Sequence, residues 1–146
     1  MALTAGVDEA GRGPLAGPVA AAAVILSEDH SIAGLNDSKK LSPKKREILY
    51  DKIMNQALAV GIATVDEKTI DRMNILNGTY EAMQMALEDL DIQPDHALID
   101  GFPLPNQIIP NEGIIRGDEK IEVIQAASII AKVTRDRIMG KYDIIF

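Results

Sequence analysis

From Ala5 to Pro18 the chain reads Ala-Gly-Val-Asp-Glu-Ala-Gly-Arg-Gly-Pro-Leu-Ala-Gly-Pro, an apolar lead-in that delivers two adjacent carboxylates, Asp8 and Glu9, into a glycine-rich turn. A short strand from Leu3 to Val7 is expected, with Asp8 at its end. Gly11, Gly13 and Gly17 lack the Cβ that would hold the following backbone away from a ligand. Amides freed by such a turn suit a phosphate or a hydroxyl. The plainer alternative is a tight turn with two solvated acids.

The next stretch, Val19 to Leu26, is a continuous Ala/Val/Ile/Leu run bounded by Gly17-Pro18 and Ser27-Glu28-Asp29. Its length and bounds predict a buried strand. A dinucleotide-binding glycine loop would have to open a helix here, so that reading of the glycines is rejected. With 146 residues, 47% hydrophobic and 25% charged, one domain with a real core is expected and two are not. The chain has no cysteine, so the chemistry must come from carboxylates, hydroxyls or the two histidines. No basic leader and no run of spanning length is present in the sequence, which predicts a cytoplasmic protein with no membrane partner. A net charge of −7 argues against generic nucleic-acid affinity, and the distribution of charge matters more than its sum.

Asn36 to Arg46 is the basic island, with Lys39, Lys40, Lys44, Lys45 and Arg46 against Asp37. Ser42-Pro43 reads as N-cap and first helical position of a helix to about Asn55. Ile48, Leu49, Ile53 and Met54 are its expected apolar stripe. Ala57 to Val65 is a third strand. Asp66 caps a short turn or helix through Asp71, and Asn74 begins a longer helix to about Leu90, with Leu76, Tyr80, Met83, Leu87 and Leu90 at helical spacing. His96 to Asp100 repeats the opening layout, an apolar strand ending in a carboxylate and then glycine, where α/β sheets gather ligands. A last strand is expected at Gly113 to Arg116, followed by Asp118 and a helix from about Glu119 to Met139. On that helix Ser128, Lys132 and Asp136 share one stripe, with Arg135 beside it. The stripe also reads as an ordinary polar face, and Asp118 as an ordinary N-cap.

Acids brought together at strand ends repel one another and raise one another's pKa values. A divalent cation gives Asp8, Glu9, Asp100 and Asp118 a reason to converge. Oxygen donors without cysteine or a histidine pair point to Mg²⁺ or Mn²⁺ and to phosphoryl transfer or phosphodiester hydrolysis.

Gly6 to Pro18, Asp37-Ser-Lys-Lys-Leu-Ser42, Ile99-Asp-Gly101, Gly117-Asp118 and Ala126-Ala-Ser-Ile-Ile-Ala-Lys-Val-Thr-Arg-Asp-Arg137 together, in this order, resemble ribonuclease HII, the type 2 ribonuclease H. The resemblance implies an α/β, ribonuclease H-like fold, a mixed five-stranded sheet flanked by helices. It implies that Asp8, Glu9, Asp100 and Asp118 are catalytic metal-site acids, with Asp8 and Asp100 bridging, Asp118 at the second metal and Glu9 in support. It implies that Gly11, Arg12 and Gly13 contact the ribonucleotide and its neighbouring phosphate. Ser38, Lys39, Lys40, Ser128 and Lys132 are the further expected substrate-binding residues. The implied reaction is two-metal hydrolysis of RNA in RNA/DNA hybrids and cleavage 5′ of ribonucleotides embedded in duplex DNA, by a monomer. A regular strand sends Asp8 and Glu9 to opposite faces, so the strand is expected to end between them, or Glu9 to use its carbonyl. The chain ends at Tyr142-Asp-Ile-Ile-Phe146, which predicts one catalytic domain over 1–146 lacking the family's C-terminal segment and its sugar-packing tyrosine. A hybrid-binding fragment without competent cleavage is the alternative function.

Overall fold

The computed structural model describes residues 2–11 and 17–145, with side chains described as far as residue 140. Five strands form one sheet in the order β3-β2-β1-β4-β5. They are β1 (Thr4–Ala10), β2 (Val19–Ile25), β3 (Ala59–Val65), β4 (His96–Asp100) and β5 (Asn111–Ile114). The first three are joined antiparallel, whereas β4 runs parallel to β1 and β5 parallel to β4. The helices are α1 (Pro43–Gln56), α2 (Glu67–Met73), α3 (Ile75–Glu88) and α4 (Glu122–Ile145). None of the described helices is long and apolar enough to cross a membrane.

Every residue of β2 is buried, because the sheet is covered on both faces. Val19, Ala21, Ala23 and Ile25 pack with Ala5, Val7, Ala97 and Ile99 against Ala82, Met83, Ala86 and Leu87 of α3. Ala22 and Val24 face the other way, toward Leu49 and Ile53 of α1 and the small and branched residues of α4 from Ala126 to Val133. Each large aliphatic side chain so buried contributes roughly 1.5–3 kcal/mol. At Gly6 the approach of α4 is closest, since a Cβ there would overlap the Val123 carbonyl. Helix backbone thus lies directly on the strand that carries Asp8.

Local signals set most boundaries. Ser42 Oγ accepts the Lys45 N–H, with Pro43 in the first turn of α1. Asp66 accepts from Thr69 N–H at the start of α2, and Asn74 from Asn77 N–H at the start of α3.

Several expectations are corrected. Strand β1 does not stop near Val7 but stays in the β2 ladder through Asp8, Glu9 and Ala10, because β2 supplies partners to its end. Ile48, Met54 and Leu76 are exposed, and α3 buries Gly78, Thr79, Ala82 and Ala86, so the buried stripes are narrower or rotated from those expected. Strand β5 begins at Asn111, two residues early, where the Asn111 side chain brackets both the N–H and the carbonyl of Leu104. Arg116 then takes left-handed backbone and leads into a 3₁₀ turn, Gly117–Glu119, that delays α4 to Glu122. Asp118 is therefore inside that turn rather than the cap of a long helix. Lys39 and Lys40 lie in a second 3₁₀ turn, Ser38–Lys40.

Candidate metal centre at the open end of the sheet

The β1/β4 ladder ends at Val7 and Ile99. One residue further on, Asp8 and Asp100 occupy the same face, the one that α4 covers. That follows from alternation, since Val7 and Ile99 belong to the α3 side. Glu9 starts on the α3 face, yet carboxylate oxygens of Asp8, Glu9 and Asp100 lie within 4.8 Å of one another. The expectation that a regular strand would keep Asp8 and Glu9 apart is thus overturned. With no β4 partner beside them, both side chains can swing into the plane of the sheet. Asp8 Oδ1 accepts the main-chain N–H of its neighbour Glu9 at 2.8 Å.

Asp118 approaches from the 3₁₀ turn after β5. Its N–H donates to Asp100 Oδ1 at 3.0 Å, which fixes the turn against the end of β4. Its own carboxylate faces Lys39, with Nζ 3.8 Å from Oδ2, and the same ammonium is 3.9 Å from Asp37 Oδ2. The Lys39 side chain is 70% exposed, so this pairing contributes little stability.

The turn that carries Lys39 is held from three sides. Asp37 caps it through the Lys39 N–H, and Arg46 Nη1 donates to the Ser38 and Leu41 carbonyls at 2.9 and 2.7 Å. Beneath it the buried hydroxyls of Ser38 and Ser128 meet at 2.9 Å. Ser128 therefore locks α4 to this turn. One turn along α4, Lys132 pairs with Asp136 at 3.1 Å.

These groups enclose a hollow of about 260 Å³ lined by the four acids together with Gly11, Ser38, Lys39, Ser128, Lys132 and Arg135. Lys40 is exposed and is not among its lining residues. Arg12 and Gly13 lie outside the described residues. Sequence reasoning placed Arg135 only beside the polar stripe. In the fold it is buried, donates from Nε to the Pro18 carbonyl at 3.1 Å and fills the space that a side chain at Gly11 would need. A large cation directly after small residues on one helix face was the available signal.

Burial pushes the Asp8 carboxyl well above the usual carboxylate range, and the negative charges of Glu9 and Asp100 push it the same way. Asp118 is raised too, first by burial and then by Asp100, while Lys39 opposes the shift. Among the described residues Lys39 is the cation paired with Asp118, and the crowded carboxylates carry local negative charge that a divalent ion would neutralise. An all-oxygen donor set within 4.8 Å fits a hard cation.

The sequence profile described as ribonuclease HII matches residues 5–144. Over 144 residues, 99% of its length, the chain is 55% identical to a ribonuclease HII of Enterococcus faecalis, of which it covers 56%. It is 57% identical over 141 residues to a ribonuclease HII of Coxiella burnetii, covering 97% of this chain and 70% of that protein. The ribonuclease H2 of Pyrococcus horikoshii superposes with a TM-score of 0.82 at 33% identity, over 96% of this chain and 75% of that one.

Proposed function

The chain belongs to the ribonuclease HII family, and from that premise we propose that it is an endonuclease that hydrolyses RNA in RNA/DNA hybrids and cleaves 5′ of ribonucleotides embedded in duplex DNA. The observation that carries this reading is the convergence of Asp8, Glu9 and Asp100 within 4.8 Å at the end of the sheet. Asp8, Glu9 and Asp100, with Asp118 beside them, are the residues that would hold Mg²⁺ or Mn²⁺. Two such ions, when bound, activate water and stabilise the leaving 3′ oxygen.

The chain's own groups supply the rest. Asp100 holds the Asp118 turn in place through a main-chain hydrogen bond, so replacing Asp100 disturbs two acids at once. Lys39, Lys132 and Arg135 line the same hollow as the acids, and their positive charge suits the phosphates flanking the cut. Gly11 lines the hollow, and its backbone suits a 2′-hydroxyl, the group that separates RNA from DNA. The Ser38–Ser128 contact keeps the lysine-bearing turn registered on α4.

A labelled duplex with one ribonucleotide, and a second with a continuous RNA strand, test the reading. Cleavage of both with Mg²⁺ or Mn²⁺, lost in Asp100→Asn together with the heat of Mn²⁺ binding, is expected. Cleavage that survives a chelator, or that Asp100→Asn leaves intact, would refute it. Binding of hybrid without cleavage would assign the chain the alternative role of a hybrid-binding piece.

A further inference from the structure

Glu9 and Asp100 border two hollows. The polar one described above lies toward α4. Toward α3 lies a smaller one, about 110 Å³, whose remaining wall is Leu76, Tyr80, Met83 and Phe102 together with Thr79 and Gly101. Of the Phe and Tyr side chains among the described residues, Tyr50, Tyr80 and Phe102, the last two line this hollow. Phe102 is 65% exposed and Leu76 42%.

Exposure of a phenylalanine on a mobile loop would carry little information, but the backbone of this one is seated. Gly101 turns the chain away from β4 with φ of +97°, a conformation that favours glycine. Pro103 restricts the chain on the other side. Underneath, the main chain of 101–103 rests on Gly113 of β5, where any Cβ would collide with the Gly101 carbonyl and with the backbone at Phe102 and Pro103. The turn is therefore fixed in contact with the sheet, and it holds an aromatic ring at the edge of the acid centre. Hydrophobic exposure imposed in this way beside a charged site marks a binding surface.

The occupant has to satisfy both walls. It must carry an anion that a divalent cation held by the acids would attract and, joined to it, a flat apolar face small enough for a hollow of this size. A nucleotide has that combination, since its phosphate is charged and its base presents a flat π-face that stacks on aromatic rings. We propose that Phe102 and Tyr80 form a stacking subsite for the nucleotide next to the phosphate that is cut, on the opposite side of Glu9 and Asp100 from Lys39 and Lys132. This inference rests on the nuclease reading and adds a contact to it. The contact comes from residues within this chain and is separate from the tyrosine expected in a C-terminal segment. Stacking tolerates every base, so the subsite contributes affinity and placement of the strand rather than sequence preference.

The test uses the whole chain with Ca²⁺ replacing Mg²⁺, a gel verifying that the duplex stays uncut. A fluorescent aminopurine is moved one position at a time along the strand on both sides of a single ribonucleotide. One flanking position should show an emission change on binding that Phe102→Ala removes and Phe102→Trp keeps. Affinity should fall roughly fivefold or more in Phe102→Ala, the lower end of what loss of one aromatic stack produces. Because Phe102 is exposed, these variants should fold, which circular dichroism checks. Unchanged affinity and an unchanged scan in Phe102→Ala would overturn the subsite while leaving the nuclease reading standing. A loss that Phe102→Trp does not restore would overturn it as well. Failure of the unaltered chain to bind any of the duplexes would refute both.

Discussion

Two points on β1, Gly6 and Asp8, lie two residues apart on the same face of the sheet and serve opposite ends. At Gly6 the backbone of α4 sits on the strand with no side chain between them, and the surroundings are apolar. At Asp8 a buried carboxylate faces two others, and packing is replaced by repulsion. The first point stabilises the fold and the second opposes it. Tight packing one turn of the strand away is what allows an unfavourable cluster to persist, since a looser sheet would relax by letting the acids drift apart.

The largest effect is expected from breaking the packed point. Gly6→Val drives a branched side chain into the Val123 carbonyl, which belongs to helix backbone and cannot rotate away. A loss of about 4 kcal/mol or more follows, a large part of the total for a domain of this size. Urea unfolding would show little or no native baseline, and a midpoint equal to that of the unaltered protein would show that α4 does not rest on β1 as described.

Breaking the charged point should separate stability from function. Asp8→Asn removes a buried charge and should lower cleavage about a hundredfold or more, while raising Tm in chelator, at roughly 2–4 °C for each kcal/mol recovered. The pH dependence has a defined sign. A raised pKa means that the folded state holds the proton more tightly than the unfolded one. Asp8 therefore lowers stability progressively as pH rises from about 4, the ordinary aspartate value, through its folded pKa, and by a constant amount above it. Asp118 acts in the same direction. The difference in unfolding free energy between Asp8→Asn and the unaltered chain should widen over that window and shrink on adding Mg²⁺. A difference that is flat with pH would mean that the Asp8 carboxyl is not under strain.

The smallest effect sharpens the contrast at its rim. Neutralising Lys39 and Lys132, which line the acid hollow, should reduce the salt dependence of duplex binding by about two phosphate contacts. Neutralising Lys44 and Lys45, exposed on the first turn of α1, tests whether the whole basic island tracks phosphates. Equal reductions from both pairs would support one continuous track. No reduction from Lys44 and Lys45 would confine the contact to the hollow.

What was legible in the sequence had local causes. The Ser42-Pro43 start of α1, the caps at Asp66 and Asn74, and the strand ending at Asp100 each depend on a few adjacent residues. The joint position of Asp8 and Asp100 could be anticipated because both follow apolar strands and precede glycine or a glycine-rich segment. Glu9 could not be placed by alternation, because its convergence depends on where the partner strand stops. Helix faces were misjudged at Ile48 and Leu76 for a related reason. Periodicity identifies a stripe of aliphatic residues, but tertiary packing decides which members of it are covered. Phe102 gave no signal at all, since its position depends on a glycine in the next strand.

The parallel ladder between β1 and β4 joins segments roughly ninety residues apart in the chain. Pairings across such distances incur a large loop-closure entropy and are slow to form. Asp8 and Asp100 are brought side by side only when this pairing forms. A divalent cation likewise finds no assembled set of carboxylates before that step. A cation that bound this set should therefore slow unfolding more than it speeds folding, which rates measured with and without Mg²⁺ would check.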